Sequence, residues 1–415
     1  MLDKKGRGRL LLYDVIVVGG GPAGLSAARA AALKGVSVLV VEQEQSIAEH
    51  VRTSGVTWMT DAKELGIPRE LYNPVSGYRF VSPGNKASIK SSSPEACVLD
   101  VRRTYQHLAE LAGDAGAVLR LRTRVIRPVL DQNKRVEGVM LSSSGVPEEE
   151  VRAGLVIDAS GFHSVIAKDL GMAPEWVNYG VGAEYEALAE NVREDEWYLM
   201  VGSAYSPAGY AWIFPVGGRR VRIGVGVGRP HSKANPVGML DRLMLERPGP
   251  LAGYGRLTPL EFHYGLVPNE GLRSRLVGNG VALVGDSAGQ GNPLVLEGIR
   301  YAIRYGRLLG ECAPDALSYG IDLLKQRYET VCRNEVESKI KAALRVQSRW
   351  LGLDDAGWDK ELDIINELSP QEFMQFIRSD FSTLTMARLA TKHPKLAVRE
   401  FFALAKGALQ DVYGG

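Results

Sequence analysis

The sequence predicts an α/β protein: a Rossmann-type nucleotide-binding domain, an antiparallel β-sheet domain inserted into it, and a C-terminal helical region. Three observations support this fold class. A glycine-rich loop follows a short apolar strand near the N-terminus. Between residues 179 and 264 the apolar pattern has a period of two with many aromatic residues, which is typical of an antiparallel sheet. Beyond Pro293 nearly all of the sequence has a helical pattern.

Composition excludes several classes of protein. The 50 Lys and Arg residues nearly balance 48 Asp and Glu residues, so nucleic acid is not an expected partner. Cys97, Cys312 and Cys332 are widely spaced, and we expect reduced thiols with neither a disulfide framework nor a bound metal. No apolar run approaches the roughly 18 residues of a membrane span. We expect a cytoplasmic protein, with peripheral attachment at the inner face of the membrane as the alternative.

A β–α–β unit is predicted at the start of the chain. Tyr13–Val18 and Val36–Val41 are apolar, β-branched runs typical of buried parallel strands, and the Ala-rich segment Leu25–Lys34 between them is helical. The first apolar run leads directly into Asp14 and the glycine loop, so we interpret it as a strand and not as the core of a signal peptide.

The loop between the first strand and the helix carries Gly19, Gly21 and Gly24 in the spacing G-x-G-x-x-G. Gly19 allows a tight turn, Gly21 lets the backbone approach a pyrophosphate, and Gly24 permits close packing of the helix on the strand. The helix N-terminus then offers free N–H groups to phosphates. Glu42 ends the second strand, where a carboxylate can accept hydrogen bonds from a ribose diol. These residues predict a dinucleotide site.

Two later segments indicate which dinucleotide binds. Asp158-Ala159-Ser160-Gly161 lies at the end of the apolar run Leu155–Ala159, and Gly285-Asp286 follows the apolar run Val281–Val284. A carboxylate at a strand end suits the hydroxyl groups of a ribityl chain. Together with the glycine loop, these segments predict FAD bound by a two-domain flavoenzyme.

Periodicity predicts the remaining elements. We expect strands at Val118–Val129 and Val136–Leu141, and helices at Asp100–Ala115 and near 295–310, 315–350, 359–367, 370–378 and 395–412. The predicted FAD-binding domain is discontinuous and comprises residues 1–75, 96–170 and 265–310. The predicted substrate-binding β-sheet domain comprises 76–95 and 171–264, and the helical region comprises 311–415.

At Asp158–Ser164 and Gly285–Gly289 the chain resembles flavoproteins with the p-hydroxybenzoate hydroxylase type of fold, with Lys168 as a candidate for the basic residue of the first motif. Within that superfamily, Tyr210–Pro215 followed by Gly224-Val225-Gly226 is similar to the Y-x-W-x-F-P…G-x-G signature of the geranylgeranyl reductase family. The resemblance covers about residues 13 to 305. It implies an FAD-dependent reductase that saturates isolated double bonds in long isoprenoid chains, on archaeal ether lipids or on the tails of chlorophyll and quinone precursors.

The resemblance also implies site residues. The implied FAD contacts are Ala23, Glu42, Arg102, Val125, Asp286, Gly298 and Ile299. Arg52, Thr53 and Ser54 lie where the family loop passes the flavin, and Thr53 and Ser54 stand where many family members have a cysteine. Arg103 competes with Arg102 for its role. The segment from Pro293 to Gly298 replaces a more Gly-rich version, so we expect a stiffer loop beside the ring.

The aromatic strand is the implied substrate site. Tyr210, Trp212 and Phe214 alternate, so all three point to one face. A hairpin loop of three residues would put the alternating glycines of the next strand on that face, as a groove for an apolar chain, whereas a loop of two residues would separate them. An ordinary aromatic core stripe is the alternative. The implied substrate-binding residues are Tyr210, Trp212, Phe214, Pro215, Gly224 and Gly226.

The reaction implied by the resemblance transfers a hydride from reduced flavin N5 to one alkene carbon and a proton to the other. No proton donor is assigned, although His163 and Tyr210 are considered. Gly224–Gly228 is followed by Arg229-Pro230 and not by a helix, so no second nucleotide loop is expected. The reductant is then expected to act transiently, either as NAD(P)H or as a protein donor such as reduced ferredoxin.

Two other functions stay open. An FAD-dependent monooxygenase or halogenase acting on an apolar or aromatic substrate would share much of this pattern, and a halogenase would need a catalytic lysine, for which Lys86 and Lys90 are candidates. A non-catalytic FAD protein that exchanges electrons with a protein partner would lack a deep apolar channel to the ring. The apolar side of Lys395–Val412 fits a packed helix or, as the minority interpretation, a membrane-surface helix that would suit a lipid substrate.

Overall fold

The computed structural model describes residues 11–380 and 391–393. Its strands are β1 (Leu11–Val18), β2 (Val38–Val41), β3 (Val56–Trp58), β4 (Tyr72–Val75), β5 (Gly77–Val81), β6 (Lys86–Lys90), β7 (Ala96–Leu99), β8 (Val118–Arg120), β9 (Thr123–Leu130), β10 (Val136–Ser143), β11 (Val146–Asp158), β12 (Tyr179–Ala189), β13 (Glu196–Gly202), β14 (Ser206–Gly217), β15 (Arg220–Arg229), β16 (Leu257–Pro268), β17 (Val277–Gly278) and β18 (Val281–Leu283).

The α-helices are α1 (Pro22–Ala32), α2 (Met59–Glu64), α3 (Val101–Asp114), α4 (Val165–Asp169), α5 (Pro236–Glu246), α6 (Ile299–Tyr319), α7 (Asp322–Leu324), α8 (Thr330–Leu351), α9 (Asp355–Glu367) and α10 (Pro370–Ile377). A π-helical turn at Lys325–Glu329 connects α7 to α8. A capping box at Ser369, with Pro370 following it, starts α10 as predicted.

An eight-stranded sheet forms the nucleotide-binding part of the fold. Its order is β17-β18-β11-β1-β2-β8, the pairs from β18 to β8 are parallel, and β10 and β9 extend it antiparallel from β11. Val15, Ile16 and Val17 of β1 are completely buried, as the continuous apolar run predicts. Helices α1 and α6 pack backbone against backbone, because a Cβ on Gly306 would overlap the Ala23 carbonyl. The predicted Rossmann-type architecture is confirmed.

Three predicted elements are wrong in their bounds. Val118–Val129 is not one strand: Arg122 has φ 52°, and the chain turns there between β8, which pairs with β2, and β9, which pairs with β10. The helix predicted near 295–310 begins only at Ile299, after Leu296 with φ 53°. The segment 315–350 is also divided, because α6 ends at Gly320. Apolar periodicity does not report single residues in the left-handed region.

A seven-stranded sheet forms the inserted domain, in the order β16-β12-β15-β14-β13-β5-β6. The predicted antiparallel pairing of residues 179–264 is confirmed, but β5, from upstream in the chain, adds one parallel pair with β13. Strands β3, β7 and β4 form a small third sheet, in the order β3-β7-β4. The domain boundaries drawn from the sequence stay predictions.

The two faces of the seven-stranded sheet are covered differently. Ala211 and Ile213 share a core with α5, whereas Trp212 and Phe214 share a core with α8, α9 and α10. The helical region therefore covers the aromatic face. The predicted helix Lys395–Val412 lies outside the described residues. In residues 11–380 and 391–393, no helix is both long and apolar enough to cross a membrane. The three cysteines are buried and unpaired.

Candidate cofactor and substrate site

The glycine loop lies at the carboxyl end of β1, beside the segment that follows β11. Gly19 has φ +109°, and a Cβ there would overlap the Ala159 carbonyl oxygen. A Cβ on Gly24 would overlap the Gly19 carbonyl oxygen, so the helix approaches the turn this closely because residue 24 is glycine. A Cβ on Gly21 would meet nothing within 4 Å. The first turn of α1 has neither a side-chain cap nor an acidic residue, which leaves its N–H groups open to an anion.

Two other predicted FAD contacts, Ala23 and Glu42, lie at this loop. The Glu42 carboxylate accepts hydrogen bonds from the N–H groups of Gly20 at 2.7 Å and Glu44 at 2.9 Å. The Glu42 carbonyl accepts a hydrogen bond from the first residue of β9, the strand that carries the buried Val125. Ala23 lies in the first turn of α1, where a Cβ on Gly285 would be 3.0 Å from it. The structure thus brings Ala23 and Glu42 to the glycine loop, and the predicted contact of Val125 with FAD stays a prediction.

Asp158 has a structural position. It is completely buried, and its carboxylate caps α4 and connects the segment after β11 to the segment after β18. These contacts give Asp158 a positioning role, and its predicted contact with FAD stays a prediction. Gly161 beside it, with φ +70°, faces open space. Lys168 forms an exposed ion pair with Glu175. The donors to the Asp158 carboxylate are Ser160 N, Ser160 Oγ, Ile166 N, Ala167 N and Ser287 Oγ.

Asp286 has the opposite environment. It follows β18 and is partly buried, and no donor to its carboxylate is present among residues 11–380 and 391–393. Burial raises the pKa of Asp286 to about 6. A largely enclosed carboxylate without protein donors is well suited to a ligand that supplies them. The ribityl hydroxyl groups of FAD are such donors, and the open space at Gly21 suits its pyrophosphate, so the residues present fit FAD.

The N-terminus of α6 lies next to Asp286. Gly298 is the N-cap and Ile299 the first helical residue, and a Cβ on Gly298 would be 3.5 Å from an Asp286 carboxylate oxygen. Two backbone hydrogen bonds close the preceding loop between its ends, Asn292 and Glu297. The Tyr210 hydroxyl donates to a carbonyl in that loop at 2.8 Å. The loop is therefore fixed to the aromatic strand, which agrees with the stiffness predicted from its sequence.

The loop Arg52–Gly55 lies against β16, because a Cβ on Gly265 would overlap the Arg52 carbonyl oxygen. The Arg102 guanidinium donates to the carbonyls of Ala48 and Glu49 and pairs with Glu261 at 2.8 Å. Arg102 thus fixes the segment just before this loop. Its predicted contact with FAD stays a prediction.

One cavity connects these loops to the aromatic face of the seven-stranded sheet. On one side it is lined by Arg52–Gly55, which includes Thr53 and Ser54, and by Leu296–Ile299. On the other side the walls are mostly apolar and aromatic, as in sites for apolar ligands. The aromatic and aliphatic side chains there include Tyr210, Trp212, Phe214, Trp58, Trp197, Leu199, Leu294, Trp350, Leu351, Trp358 and Ile377. The helices α8, α9 and α10 contribute to this wall, although their sequence carries no recognised signature.

The hairpin of β14 and β15 places the predicted aromatic residues and glycines on one face. Trp212 is opposite Gly224 and Tyr210 is opposite Gly226. The turn holds two residues, which alone would separate the faces, but a bulge after Pro215 shifts the register by one residue. The predicted open glycine strip is wrong at Gly224, because the Trp212 ring lies over it. Gly226 lines the cavity, whereas Gly224 and Pro215 do not.

A charged cluster behind Trp212 was not predicted from the sequence. The Trp212 indole N–H donates to Glu184 at 2.6 Å, and His263 Nδ1 lies 2.9 Å from the same carboxylate. His263 Nε2 lies 3.2 Å from Glu261, and Arg222 lies 3.8 Å from Glu184. Both Glu184 and His263 line the cavity. The sequence indicates this cluster only through charged residues that interrupt the apolar pattern of the predicted strands.

Other residues considered from the sequence lie away from the cavity. His163 is exposed in the loop that follows β11. Lys86 and Lys90 are exposed on β6, and no lysine is present among the described residues that line the cavity. A halogenase would need such a lysine. The glycines from Gly224 to Gly228 lie within β15, as expected for a strand and not for a nucleotide loop.

Family models match two consecutive parts of the chain. Residues 14–173 match a model described as FAD dependent oxidoreductase, and residues 178–266 match one described as geranylgeranyl reductase catalytic domain. Over 381 residues the chain is 31% identical to the digeranylgeranylglycerophospholipid reductase of Methanosarcina acetivorans. The aligned region covers 88% of this chain and 91% of the relative. The corresponding protein of Methanosarcina mazei is 32% identical, with 84% and 87% covered.

Solved structures share the fold. A geranylgeranyl bacteriochlorophyll reductase-like protein from Thermoplasma acidophilum superposes with a TM-score of 0.83 at 26% identity, covering 95% of this chain and 100% of that chain. The flavin-dependent brominase Bmp2 superposes with a TM-score of 0.65 at 16% identity, covering 88% and 98%. At that identity the likeness to the brominase is one of fold alone.

Proposed function

Because the chain belongs to the geranylgeranyl reductase family of FAD-dependent oxidoreductases, we propose that it saturates isolated C=C bonds in the geranylgeranyl chains of a glycerophospholipid. One observation carries this substrate class: the cavity that begins at the two loops expected beside the flavin continues along an apolar, tryptophan-rich wall. A long polyprenyl chain requires such a wall to reach the ring.

Four parts of the chain would hold FAD. The N–H groups at the start of α1 would bind the pyrophosphate, and Glu42 would accept hydrogen bonds from the adenosine ribose. Asp286 would accept them from the ribityl chain. The N–H groups at Gly298 and Ile299 would face the pyrimidine edge of the ring, where the partial positive charge of the α6 N-terminus stabilises the anionic reduced form. When bound, FAD supplies hydride transfer from N5.

The cavity residues would orient the alkene and exclude water. An isolated double bond offers no carbonyl that an acid could polarise, so positioning is the main contribution of the protein. Trp212 is held by its hydrogen bond to Glu184, and Tyr210 by its hydrogen bond to the loop before α6. These two fixed rings would set the distance between the chain and the flavin.

The reductant is proposed to be NAD(P)H or reduced ferredoxin acting transiently, since the glycines of β15 form no second nucleotide loop. A lipid substrate also suggests peripheral contact with a membrane. Anaerobic mixing of the oxidised protein with each donor identifies the reductant by bleaching of the flavin absorbance. Sedimentation with phospholipid vesicles tests the membrane contact.

The decisive experiment is anaerobic. The protein is reduced with dithionite, excess reductant is removed, and a geranylgeranyl glycerophospholipid is added without oxygen. We expect the oxidised flavin spectrum to return and mass spectrometry to show two added hydrogen atoms per reduced bond. The fully saturated lipid is the control and should leave the flavin reduced. Oxidation that occurs only after oxygen is admitted would contradict the proposal and favour a monooxygenase or halogenase.

A further inference from the structure

Alkene saturation needs a proton donor close to the reduced flavin, because the hydride and the proton are added to neighbouring carbons. An isolated double bond is too weak a base to take a proton from bulk water, so a positioned side chain must supply it. The titratable side chains among the described residues that line the cavity are Arg52, Glu184, Tyr210, His263, Tyr264 and Glu297. The contacts and the exposure of each side chain select among them.

Three of these side chains are unsuited to the role. An arginine guanidinium keeps its proton in proteins, which excludes Arg52. The Tyr210 hydroxyl already donates to the Val295 carbonyl, and burial raises the pKa of Tyr210 well above its ordinary value, so it is a weaker acid than an ordinary phenol. Tyr264 is 46% exposed, and its side chain points to the face of β16 opposite that of His263.

Glu184 and His263 are occupied by each other and by their neighbours. One Glu184 oxygen accepts a hydrogen bond from the Trp212 indole at 2.6 Å, and the other lies 2.9 Å from His263 Nδ1. The buried Arg222 guanidinium lies 3.8 Å from the same carboxyl group, which suits a carboxylate and not a carboxylic acid. The other nitrogen of His263, Nε2, faces Glu261 at 3.2 Å. Neither Glu184 nor His263 therefore has a proton free for the substrate.

Glu297 differs from the other candidates because one of its carboxyl oxygens is free. Its side chain is 5% exposed, and Oε2 accepts a hydrogen bond from Arg300 Nε at 2.8 Å. Oε1 is buried and has no hydrogen-bond partner among the described residues. A buried oxygen without a donor is better suited to carry a proton than a negative charge. Oε1 is therefore the atom in the cavity that best suits a transferable proton.

Glu297 also lies on the cofactor side of the cavity. It ends the loop that two backbone hydrogen bonds close with Asn292. Gly298 and Ile299, which we propose to face the flavin, follow it directly in the chain. A donor at this position is next to the segment expected at the ring, as proton addition beside the hydride requires.

The charges around Glu297 allow it to be neutral. Burial raises the pKa of Glu297 and outweighs Arg300 on α6 and Arg378 after α10, which lower it, while Asp61 on α2 raises it further. Protonation does not leave Arg300 without an anionic partner, because Asp61 lies 3.8 Å from its guanidinium. Asp61 also pairs with Arg378 at 2.9 Å. With a proton on Oε1, Oε2 can still accept the hydrogen bond from Arg300.

We propose that Glu297 is the catalytic acid that protonates the alkene from Oε1, with Arg300, itself paired with Asp61, as the positioning residue that holds Oε2. The assignment rests on the proposed function. The π bond breaks and two C–H bonds form: one carbon receives a hydride from the reduced flavin, which is oxidised by two electrons, and the other receives the Oε1 proton. Glu297 is left as a carboxylate paired with Arg300. After the product leaves, water that enters the cavity returns a solvent proton to Oε1.

Single-turnover kinetics test the catalytic role. The reduced holoenzyme is mixed anaerobically with the geranylgeranyl lipid, and the return of the oxidised flavin spectrum is followed. We expect E297Q to be slower by about 10²- to 10⁴-fold, the range for loss of a general acid, and E297D, which keeps an acid, to lie between E297Q and the wild type. Oxidation of the same reduced variants by ferricyanide, which requires no proton at carbon, should keep its wild-type rate. E311Q, at an exposed glutamate on α6, is the matched control.

The pH dependence separates an acid from a merely structural carboxylate. The wild-type rate should fall as pH rises through the pKa of Glu297, because only the protonated form donates. E297Q should lack this decline. D61N should move the decline to lower pH, because the charge of Asp61 raises the pKa of Glu297. The side chain of Asp61 is 18% exposed, so D61N serves if E297Q does not fold.

Infrared spectroscopy gives a readout that does not depend on turnover. A protonated carboxyl group has a C=O stretching band that is separate from the bands of carboxylates and shifts in D₂O. In the oxidised holoenzyme we expect such a band to persist above the ordinary glutamate pKa of 4.5 and to be missing in E297Q. A wild type without this band, or a band that remains in E297Q, would overturn the assignment.

The two proposals fail in distinguishable ways. If the wild type oxidises its flavin with the lipid and E297Q and D61N do so at the same rate and with the same pH profile, Glu297 is not the acid and the proposed function stands. If the wild type does not react with the lipid at all, the proposed function is wrong and the assignment of Glu297 falls with it.

Discussion

Two aspartates show how a residue's surroundings decide its role. Asp158 and Asp286 both follow buried parallel strands and both belong to motifs of the predicted FAD site. Asp158 is saturated with protein donors, whereas the carboxylate of Asp286 has none among its described neighbours. The five protein donors give Asp158 a structural role, whereas the Asp286 carboxylate stays open to donors from a ligand. We therefore propose Asp286 as a cofactor contact.

The sequence could predict both positions but not this difference. One of the donors to Asp158 is Ser287, which is 129 residues away in the chain, and two more belong to a helix that starts seven residues later. Local motifs report neither contact, because both depend on how the segments meet in three dimensions.

Replacing Asp286 by Asn should weaken FAD binding. The loss of charge-assisted hydrogen bonds to ribityl hydroxyls costs about 1.5–3 kcal/mol, which corresponds to roughly a 10- to 150-fold increase in Kd. Fluorescence quenching on titration of the apoprotein with FAD measures it. D169N, at an exposed position at the end of α4, is the control and should bind FAD normally. Unchanged affinity in D286N would remove Asp286 from the site.

The same carboxylate predicts a pH dependence. Burial raises the pKa of Asp286 in the folded apoprotein to about 6, above its ordinary value of 3.8, so ionisation costs stability as pH rises through that interval. Hydroxyl donors favour the charged form, so FAD binding should release a proton. FAD affinity should therefore rise with pH up to about 6 and then level off. The same titration at several pH values checks this, and D286N should show a flat profile.

At the scale of elements, the β14–β15 hairpin determines the shape of the cavity. The bulge after Pro215 keeps Trp212 opposite Gly224, and the absence of a side chain at Gly224 is what allows the indole to lie flat against the sheet. Alternation along β14 was predictable, because it depends only on the strand period. The register was not, because a single inserted residue changes which faces coincide.

Replacing Gly224 by Ala should displace Trp212. The added Cβ would overlap the indole, which would have to move and lose its hydrogen bond to Glu184. We expect a loss of about 1–3 kcal/mol in the free energy of unfolding, as for other overpacked cores. Urea denaturation measures the free energy, and near-UV circular dichroism reports the indole. In the control G238A, the nearest atom to the new Cβ is 3.9 Å away. This helical substitution should be neutral or stabilising by up to about 1 kcal/mol.

At the scale of the molecule, Arg222 connects the inserted sheet to the nucleotide-binding part. Its side chain is 3% exposed on β15, pairs with Glu186 at 3.1 Å, and donates to the carbonyls of Ser54 and Leu99 at 2.9 Å. Ser54 belongs to the loop expected beside the flavin. The buried Arg222 guanidinium therefore links the inserted sheet to the loop expected beside the flavin.

Replacing Arg222 by Met should be strongly destabilising. Removing one partner of a buried charge cluster costs about 3–5 kcal/mol, because Glu184 and Glu186 would each lose a buried cationic partner. R220M is the matched control: Arg220 is two residues away on the same strand and also pairs with Glu186, but its side chain is 53% exposed. That variant should lose less than about 1 kcal/mol. Equal losses in thermal or urea denaturation would contradict this ranking.

Motifs with a local physical cause were predictable across the molecule. The glycine loop, the strand-end carboxylates and the aromatic alternation each follow from a few consecutive residues. The contribution of Trp350 and Trp358 to the cavity was not predictable, because it depends on the packing of α8 and α9 across the sheet. The Glu184–His263 cluster is another such case, since its members are 79 residues apart in the chain.

The three cysteines bear on how the protein tolerates oxidants. Cys97 and Cys332 are completely buried, Cys312 is 8% exposed, and burial raises the pKa of all three thiols, to about 12 for Cys97 and Cys332. Thr53 and Ser54 bring no sulfur atom to the loop expected beside the flavin. Alkylation and peroxide attack both require an accessible thiolate. The native fold should therefore retain its flavin chemistry in iodoacetamide or dilute peroxide, so thiol-modifying reagents would act on this protein only after it unfolds.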